Sequence, residues 1–208
     1  MTHYTIITGD IIGSRQLSSA AWQPALEEIL SSLGREPRDW QRFRGDSFQL
    51  CLGPRYNGLR EAIKIKARIK MLRHADVRMG LGIGSVNEHA ARVTESNGEA
   101  FVFSGEVFDK LKIRKSSLAV KTRWPGFDRD INLMLDWALV TMDQWLINSA
   151  EVAYHCLCHP DATQQQLGEM MNIAQNTVSS RKSRAHVDLV DDLLAWYHQR
   201  LHQCLDNL

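Results

Sequence analysis

The chain has 208 residues, 44% of them hydrophobic and 24% charged, with a formal net charge of +1. That length suits one large or two small domains with a buried core, and the composition is ordinary for a globular protein. No apolar run reaches the roughly 18 residues that span a bilayer, which predicts no membrane partner, and the N-terminus has no secretory pattern. The near-neutral balance excludes a globally basic coat, so any nucleic-acid contact has to be local. Four cysteines, of which only Cys156 and Cys158 are close in sequence, make no disulfide framework and predict a reducing, cytoplasmic setting.

Residues 4–8 are a β-branched and aromatic run of strand length that stops at Gly9. A helix is predicted from Ser18 or Ser19 to Leu33, carried by Trp22, Ala25, Leu26, Ile29, Leu30 and Leu33 and stopped by Gly34. Pro24 is tolerable only in a first turn, so the regular part is expected to begin near it. Residues 40–52 alternate on either side of Gly45-Asp46 and predict a hairpin. A second helix is predicted over 58–73, with Ala62, Ile65, Ile69 and Leu72 as its apolar stripe. Its charged residues, among them Arg60, Lys64, Lys66, Arg68 and Lys70, are expected to face solvent. Residues 77–83 predict a strand whose glycines admit close backbone approach. A polar loop over 85–97, a helix over 98–112 and a strand over 118–122 follow, and Trp124-Pro125-Gly126 marks a domain boundary.

The expected fold is therefore α+β, a ferredoxin-like βαββαβ domain over residues 1–125 followed by an all-α domain over 126–208. In the second part, helices are predicted over 128–146 and 150–157, with His159-Pro160-Asp161 as a turn. Residues 163–186 read as helix-turn-helix, with Leu167, Met171, Ile173 and Val178 inward. Gln175, Asn176, Thr177, Ser179, Ser180, Arg181, Lys182 and Arg184 are left as the DNA-contacting set, being types that reach base edges and phosphates. Gly168 departs from the usual alanine of such units, and Arg181 from an apolar residue. From Thr163 onward there are four Lys/Arg against five Asp/Glu, so attraction to DNA is modest. In 187–208, Val187, Val190, Leu194, Tyr197, Leu201, Cys204 and Leu208 recur as in a coiled-coil seam. That seam either packs on the chain's own core or joins two copies; paired half-sites favour a homodimer.

Two acidic corners carry the chemistry. Asp10 follows the first strand and precedes Gly13 and Ser14, and Asp46 sits at the hairpin tip. Each Gly-Asp alone is a turn signal; together, at one end of a sheet, the carboxylates suit a hard divalent cation such as Mg²⁺ or Mn²⁺. Backbone amides at Ile12, Gly13 and Ser14, opening the next helix, suit phosphate, with Arg15 and Arg44 as nearby cations. His155-Cys156-Leu157-Cys158-His159 contains metal-ligand types, but i and i+2 on a helix face apart, and core cysteines with exposed histidines account for it better than zinc.

Four motifs in order, Thr8-Gly9-Asp10-Ile11-Ile12-Gly13-Ser14-Arg15, Gly45-Asp46-Ser47-Phe48-Gln49, Arg78-Met79-Gly80-Leu81-Gly82-Ile83-Gly84 and Gly98-Glu99-Ala100-Phe101, resemble the SatD family of bacterial proteins. That resemblance implies a cyclase-like palm domain followed by a helix-turn-helix. More distantly, the first domain resembles the palm of class III nucleotidyl cyclases. The likeness implies Asp10, Asp46 and the Ile11 carbonyl as metal ligands, and the 12–14 amides as triphosphate contacts. In the same register, Val102 and Glu106 stand where such cyclases carry an Asn and a transition-state Arg. The expectation is a DNA-binding regulator whose palm-like domain binds a divalent metal and a nucleotide or other phosphorylated ligand. The alternative is a nucleotidyl cyclase or nucleotidyltransferase.

Overall fold

The computed structural model describes residues 3–43 and 45–206. They form an α+β structure of one five-stranded mixed sheet and eight α-helices. In chain order these are β1 (Tyr4–Ile12), α1 (Ser19–Leu33), β2 (Trp40–Phe43), β3 (Ser47–Leu52), α2 (Gly58–Lys70), β4 (Asp76–Gly84), α3 (Glu99–Arg114), β5 (Leu118–Lys121), α4 (Pro125–Met142), α5 (Ile147–Cys158), α6 (Gln164–Met171), α7 (Gln175–Ala185) and α8 (Val187–Asp206). The sheet order is β2-β3-β1-β4-β5. Neighbours are antiparallel except β4 and β5, which run parallel.

β1 is the central strand and runs to Ile12, three residues beyond the expected stop at Gly9. The reason is steric: a Cβ at Gly9 would lie 2.6 Å from the Phe48 ring, so this glycine admits an aromatic rather than ending a strand. Asp10 consequently lies inside β1, paired with Ser47 on one side and Arg78 on the other.

The sheet is covered on both faces. Ile7 and Ile11 of β1 join α1 and α2 in the main core with Phe48, Leu50 and Val77. On the opposite face, Thr8 Oγ1 lies 3.0 Å from Ser104 Oγ of α3. That helix rests directly on β4, where a Cβ at Gly82 would come within 2.1 Å of the Ala100 carbonyl. The glycine lane expected to admit a backbone is therefore occupied by α3.

α1 begins at Ser19, a turn earlier than Pro24 suggested. Its opening is tightened by a bond from the Ala21 N–H to the Ser18 carbonyl at 2.9 Å, and buried Trp22 anchors it to the core. Pro24 removes one intrahelical donor without ending the helix.

Trp124-Pro125-Gly126 does not interrupt the structure. Pro125 is the first residue of α4, a position where its missing N–H costs nothing. Asn132 of α4 donates to the Val120 carbonyl at 2.7 Å and accepts from the Val120 N–H at 2.9 Å, covering the outer edge of β5. One continuous cluster of buried side chains then runs from the sheet through Phe127, Ile131 and Leu135 to α5–α8.

The charged face of α2 is not solvated. Lys66 is wholly buried, pairing with Asp76 at 2.8 Å and with Asp143 at 2.7 Å. Arg60 reaches the Leu157 carbonyl of α5, and Arg68 pairs with Glu28 of α1. Lys66 and Arg60 thus join α2 to the segments at and beyond α4, and Arg68 joins it to α1.

Candidate functional site

An open cleft of about 660 Å³ lies at the C-terminal end of β1, on the α3 face. It brings together Asp10, Ile11, Ile12, Gly13, Ser14, Arg15 and Asp46, seven of the sequence-designated residues. Arg44 lies outside the described residues. The β1–β3 pairing explains the convergence: Asp10 stands opposite Ser47, so Asp46, in the turn just before β3, is one residue away. The Ile11 N–H donates to the Asp46 carbonyl at 3.2 Å and holds the corner against β1.

The segment after β1 is not the start of a long helix. Gly13 is left-handed (φ 81°), and Ser14–Gln16 is a single 3-10 turn before α1. So short a turn offers little helix dipole to an anion, and the positive charge at this corner is carried by side chains. The Ser14 hydroxyl donates to Asp46 Oδ2 and fixes that carboxylate toward the loop.

Three further charged residues line the cleft that the sequence motifs did not single out for a role. Arg78 donates through Nε to Asp10 Oδ1 at 3.1 Å and through its terminal nitrogen to Oδ2 at 3.0 Å. Lys112 lies 3.7 Å from Asp10 Oδ2, and Asp109 stands on the same side of α3. The lining thus carries Asp10, Asp46 and Asp109 against Arg15, Arg78 and Lys112. Arg78 is placed by the β1–β4 register, which only the paired strands reveal, whereas Lys112 shares its helical spacing with Gly105, Phe108 and Asp109. Neither α3 position suggested by the cyclase resemblance lines the cleft: Val102 is exposed, and Glu106 pairs with Lys121 of β5. Arg42 of β2 pairs with Glu27 of α1 at 2.7 Å and does not line the cleft.

The donor set suits a hard cation in kind, being two carboxylates beside backbone oxygens. No group of three or more His, Cys, Asp or Glu able to hold a metal occurs among the described residues. A cation here would draw on Asp10 and Asp46 and complete its shell with water or ligand oxygens, which is how Mg²⁺ is commonly held. Both oxygens of Asp10 are engaged by Arg78, so a cation taking Asp10 would have to displace the guanidinium from it.

The other designated surface is α7. Thr163 caps α6 in a reciprocal capping box with Gln166, and Asn172 is left-handed in the turn between α6 and α7. Gly168 is explained by that turn, since a Cβ there would meet the Ile173 carbonyl at 2.7 Å. Gln175, Asn176, Ser179, Ser180 and Arg184 are exposed, Thr177 and Lys182 half-buried. Arg181 points elsewhere: it pairs with Glu151 of α5 at 2.5 Å.

The α8 seam is consumed within the chain. Val187, Val190, Leu194 and Tyr197 are buried in the common core, Leu201 and Cys204 are half-buried against it, and Leu208 lies outside the described residues. Phe127 of α4 stacks on Trp196, its ring centroid 6.2 Å away. Exposed apolar side chains remain beside this packing, at Trp137 of α4 and Leu189 of α8. No described helix is long and apolar enough to cross a membrane.

Compared with known proteins, the chain matches no family model, and no curated protein matches it.

Proposed function

We propose that the cleft binds a phosphorylated ligand of the nucleotide type together with Mg²⁺ or Mn²⁺, and that the helical part is a DNA reader responding to it. The observation that carries this reading is the meeting of Asp10 and Asp46 with Arg15, Arg78 and Lys112 in one cleft. Carboxylates and cations interleaved at one site suit a ligand that is anionic and metal-bearing at once.

The antiparallel order β2-β3-β1-β4 supports describing the first part as a ferredoxin-like, palm-type domain extended by β5. The capped α6, the short turn and the polar exposed side of α7 support the helix-turn-helix reading. Such readers work in pairs. With the α8 seam turned inward, the face around Trp137 and Leu189 is the better surface for a second copy. Four unpaired cysteines agree with a reducing, cytoplasmic setting.

Calorimetry with nucleoside triphosphates and Mg²⁺ tests the cleft. Wild-type binding should fall at least about tenfold in Asp10→Ala and Asp46→Ala, since each substitution removes a charged ligand. Binding unaffected by both substitutions would overturn the reading.

A nucleotidyl-transfer activity is the second reading, favoured by one observation: Lys112 places a cation on the α3 side of the cleft. Release of pyrophosphate from any of the four NTPs with Mg²⁺ or Mn²⁺ would establish it, and its absence would leave a binding module.

A further inference from the structure

We infer that Arg78 is an exchangeable counter-ion, which occupies Asp10 until a phosphate group replaces that carboxylate as its partner. The inference rests on the cleft being a cation and phosphate site and concerns how that site is filled.

Three features point to it. Arg78 engages both oxygens of Asp10 at 3.1 and 3.0 Å, a two-point, charge-assisted arrangement. The pair is fixed by strand register, Asp10 directly opposite Arg78, and is partly withdrawn from water, with side chains 11% and 20% exposed. Asp46, by contrast, is held by the neutral Ser14 hydroxyl, which can remain bonded while the carboxylate meets a cation.

A cation arriving alone therefore meets one available carboxylate and one already neutralised. Taking Asp10 strands a guanidinium in a half-buried position, where an unpaired charge is costly. A phosphate removes that penalty, because its oxygens accept the same planar fork that the carboxylate accepted. Lys112, 3.7 Å from Asp10 and 60% exposed on a long stem, can follow to the same anion. Cation and phosphate then enter as a pair, each weak alone. The cleft would discriminate metal-bearing phosphate ligands from free Mg²⁺.

The test uses Mn²⁺ and inorganic tripolyphosphate as probes on the full chain. Free Mn²⁺ is followed by electron paramagnetic resonance and tripolyphosphate by equilibrium dialysis in chelator. Arg78→Gln should bind Mn²⁺ alone about tenfold more tightly than wild type, and tripolyphosphate alone about tenfold less tightly, within the usual range of coupling between sites. Arg78→Lys, which keeps charge but loses the fork, should fall between them and serves if the glutamine variant does not fold. The gain in Mn²⁺ affinity should vanish in the Asp10→Asn, Arg78→Gln double variant. Mn²⁺ affinity unchanged or weakened by Arg78→Gln, or a gain that survives loss of Asp10, would overturn the inference while leaving the cleft reading intact. No retention of either probe, separately or together, by wild type or variant would overturn the cleft reading itself.

Discussion

The ammonium of Lys66, wholly buried in α2, lies 2.7 Å from Asp143 just beyond α4 and 2.8 Å from Asp76 at the start of β4. Ser117 beside β5 adds a hydroxyl at 3.1 Å, and Lys70 pairs with the same Asp76 at 3.1 Å. One charge thus ties the sheet to the end of the helix that begins the all-α part. Removing it takes the cation from the Asp143 carboxylate and leaves Asp76 to Lys70 alone. Lys66→Ala should lower unfolding free energy in urea by about 3 kcal/mol, the lower end for a broken buried pair because Asp143 is partly exposed. Asp143→Asn in the same chain should restore part of that loss.

The difference between what was legible in the sequence and what was not follows from this kind of contact. Asp10 and Asp46 were legible because each sits in a short motif next to glycine, and the expected strand order sets β1 beside the hairpin that carries Asp46. Arg78 was not, because its role depends on which residue of β4 lies opposite Asp10, and register is a property of two strands. The charged face of α2 read as solvent-facing because periodicity reports where apolar residues go and is silent on a second layer packed over the polar side. The α8 seam was legible as apolar, while its partner, the chain's own α4 and core, required the tertiary structure.

Steric fit on the α3 face gives a second prediction. A Cβ at Gly82 would stand 2.1 Å from the Ala100 carbonyl and 2.3 Å from the Ser104 nitrogen, both backbone atoms that move only with the whole helix. Gly82→Ala should therefore cost about 3 kcal/mol of stability by overpacking. Gly45 is the contrast: it has φ +83° but nothing within 4 Å of a Cβ. Gly45→Ala should cost only about 1 kcal/mol, from the left-handed conformation. Equal melting temperatures for the two variants would contradict the close seating of α3.

Oligomeric state distinguishes the two apolar faces of the helical part. If the exposed Trp137 and Leu189 receive a second copy, Trp137→Asp should convert a sedimenting dimer into a folded monomer. Leu194→Asp, by contrast, places a charge in the common core and should unfold the chain. A wild-type chain that sediments as a monomer throughout the micromolar range would exclude this face as a stable dimer surface.

Burial of His155 sets a pH dependence. Desolvation against α5's surroundings holds its imidazole below the ordinary value near 6.5, opposed by Glu151 and reinforced by His159. Its Nδ1 is among the buried polar atoms without a hydrogen-bond partner. Between its depressed folded value and 6.5, the unfolded chain binds the extra proton, so stability from this group is complete above 6.5 and declines as pH falls through that window. Urea midpoints at pH 7 and pH 5 should differ less in His155→Gln than in wild type. An identical pH difference in the two proteins would assign the dependence to other groups.

The two arginines of α7 should behave oppositely, although both are basic residues of one helical pattern in the sequence. Arg181 is 14% exposed and is paired at 2.5 Å with Glu151 of α5, so its guanidinium is committed to holding α7 against its neighbour. Arg184 is exposed, bonding only back to the Ser180 carbonyl at 3.4 Å, and its charge is available to a phosphate. Arg181→Ala should lower stability by about 1–3 kcal/mol, as loss of a charged hydrogen bond does, and affect DNA only through the fold. Arg184→Ala should leave the melting temperature unchanged and reduce the dependence of log K on log salt by about one. Asn176→Ala, from the exposed start of the same helix, should instead weaken binding to a selected site more than to random duplex, since amide side chains read base edges. If all three variants bind selected and random DNA as wild type does, α7 is not the reading helix, and its polar face serves some purpose other than DNA.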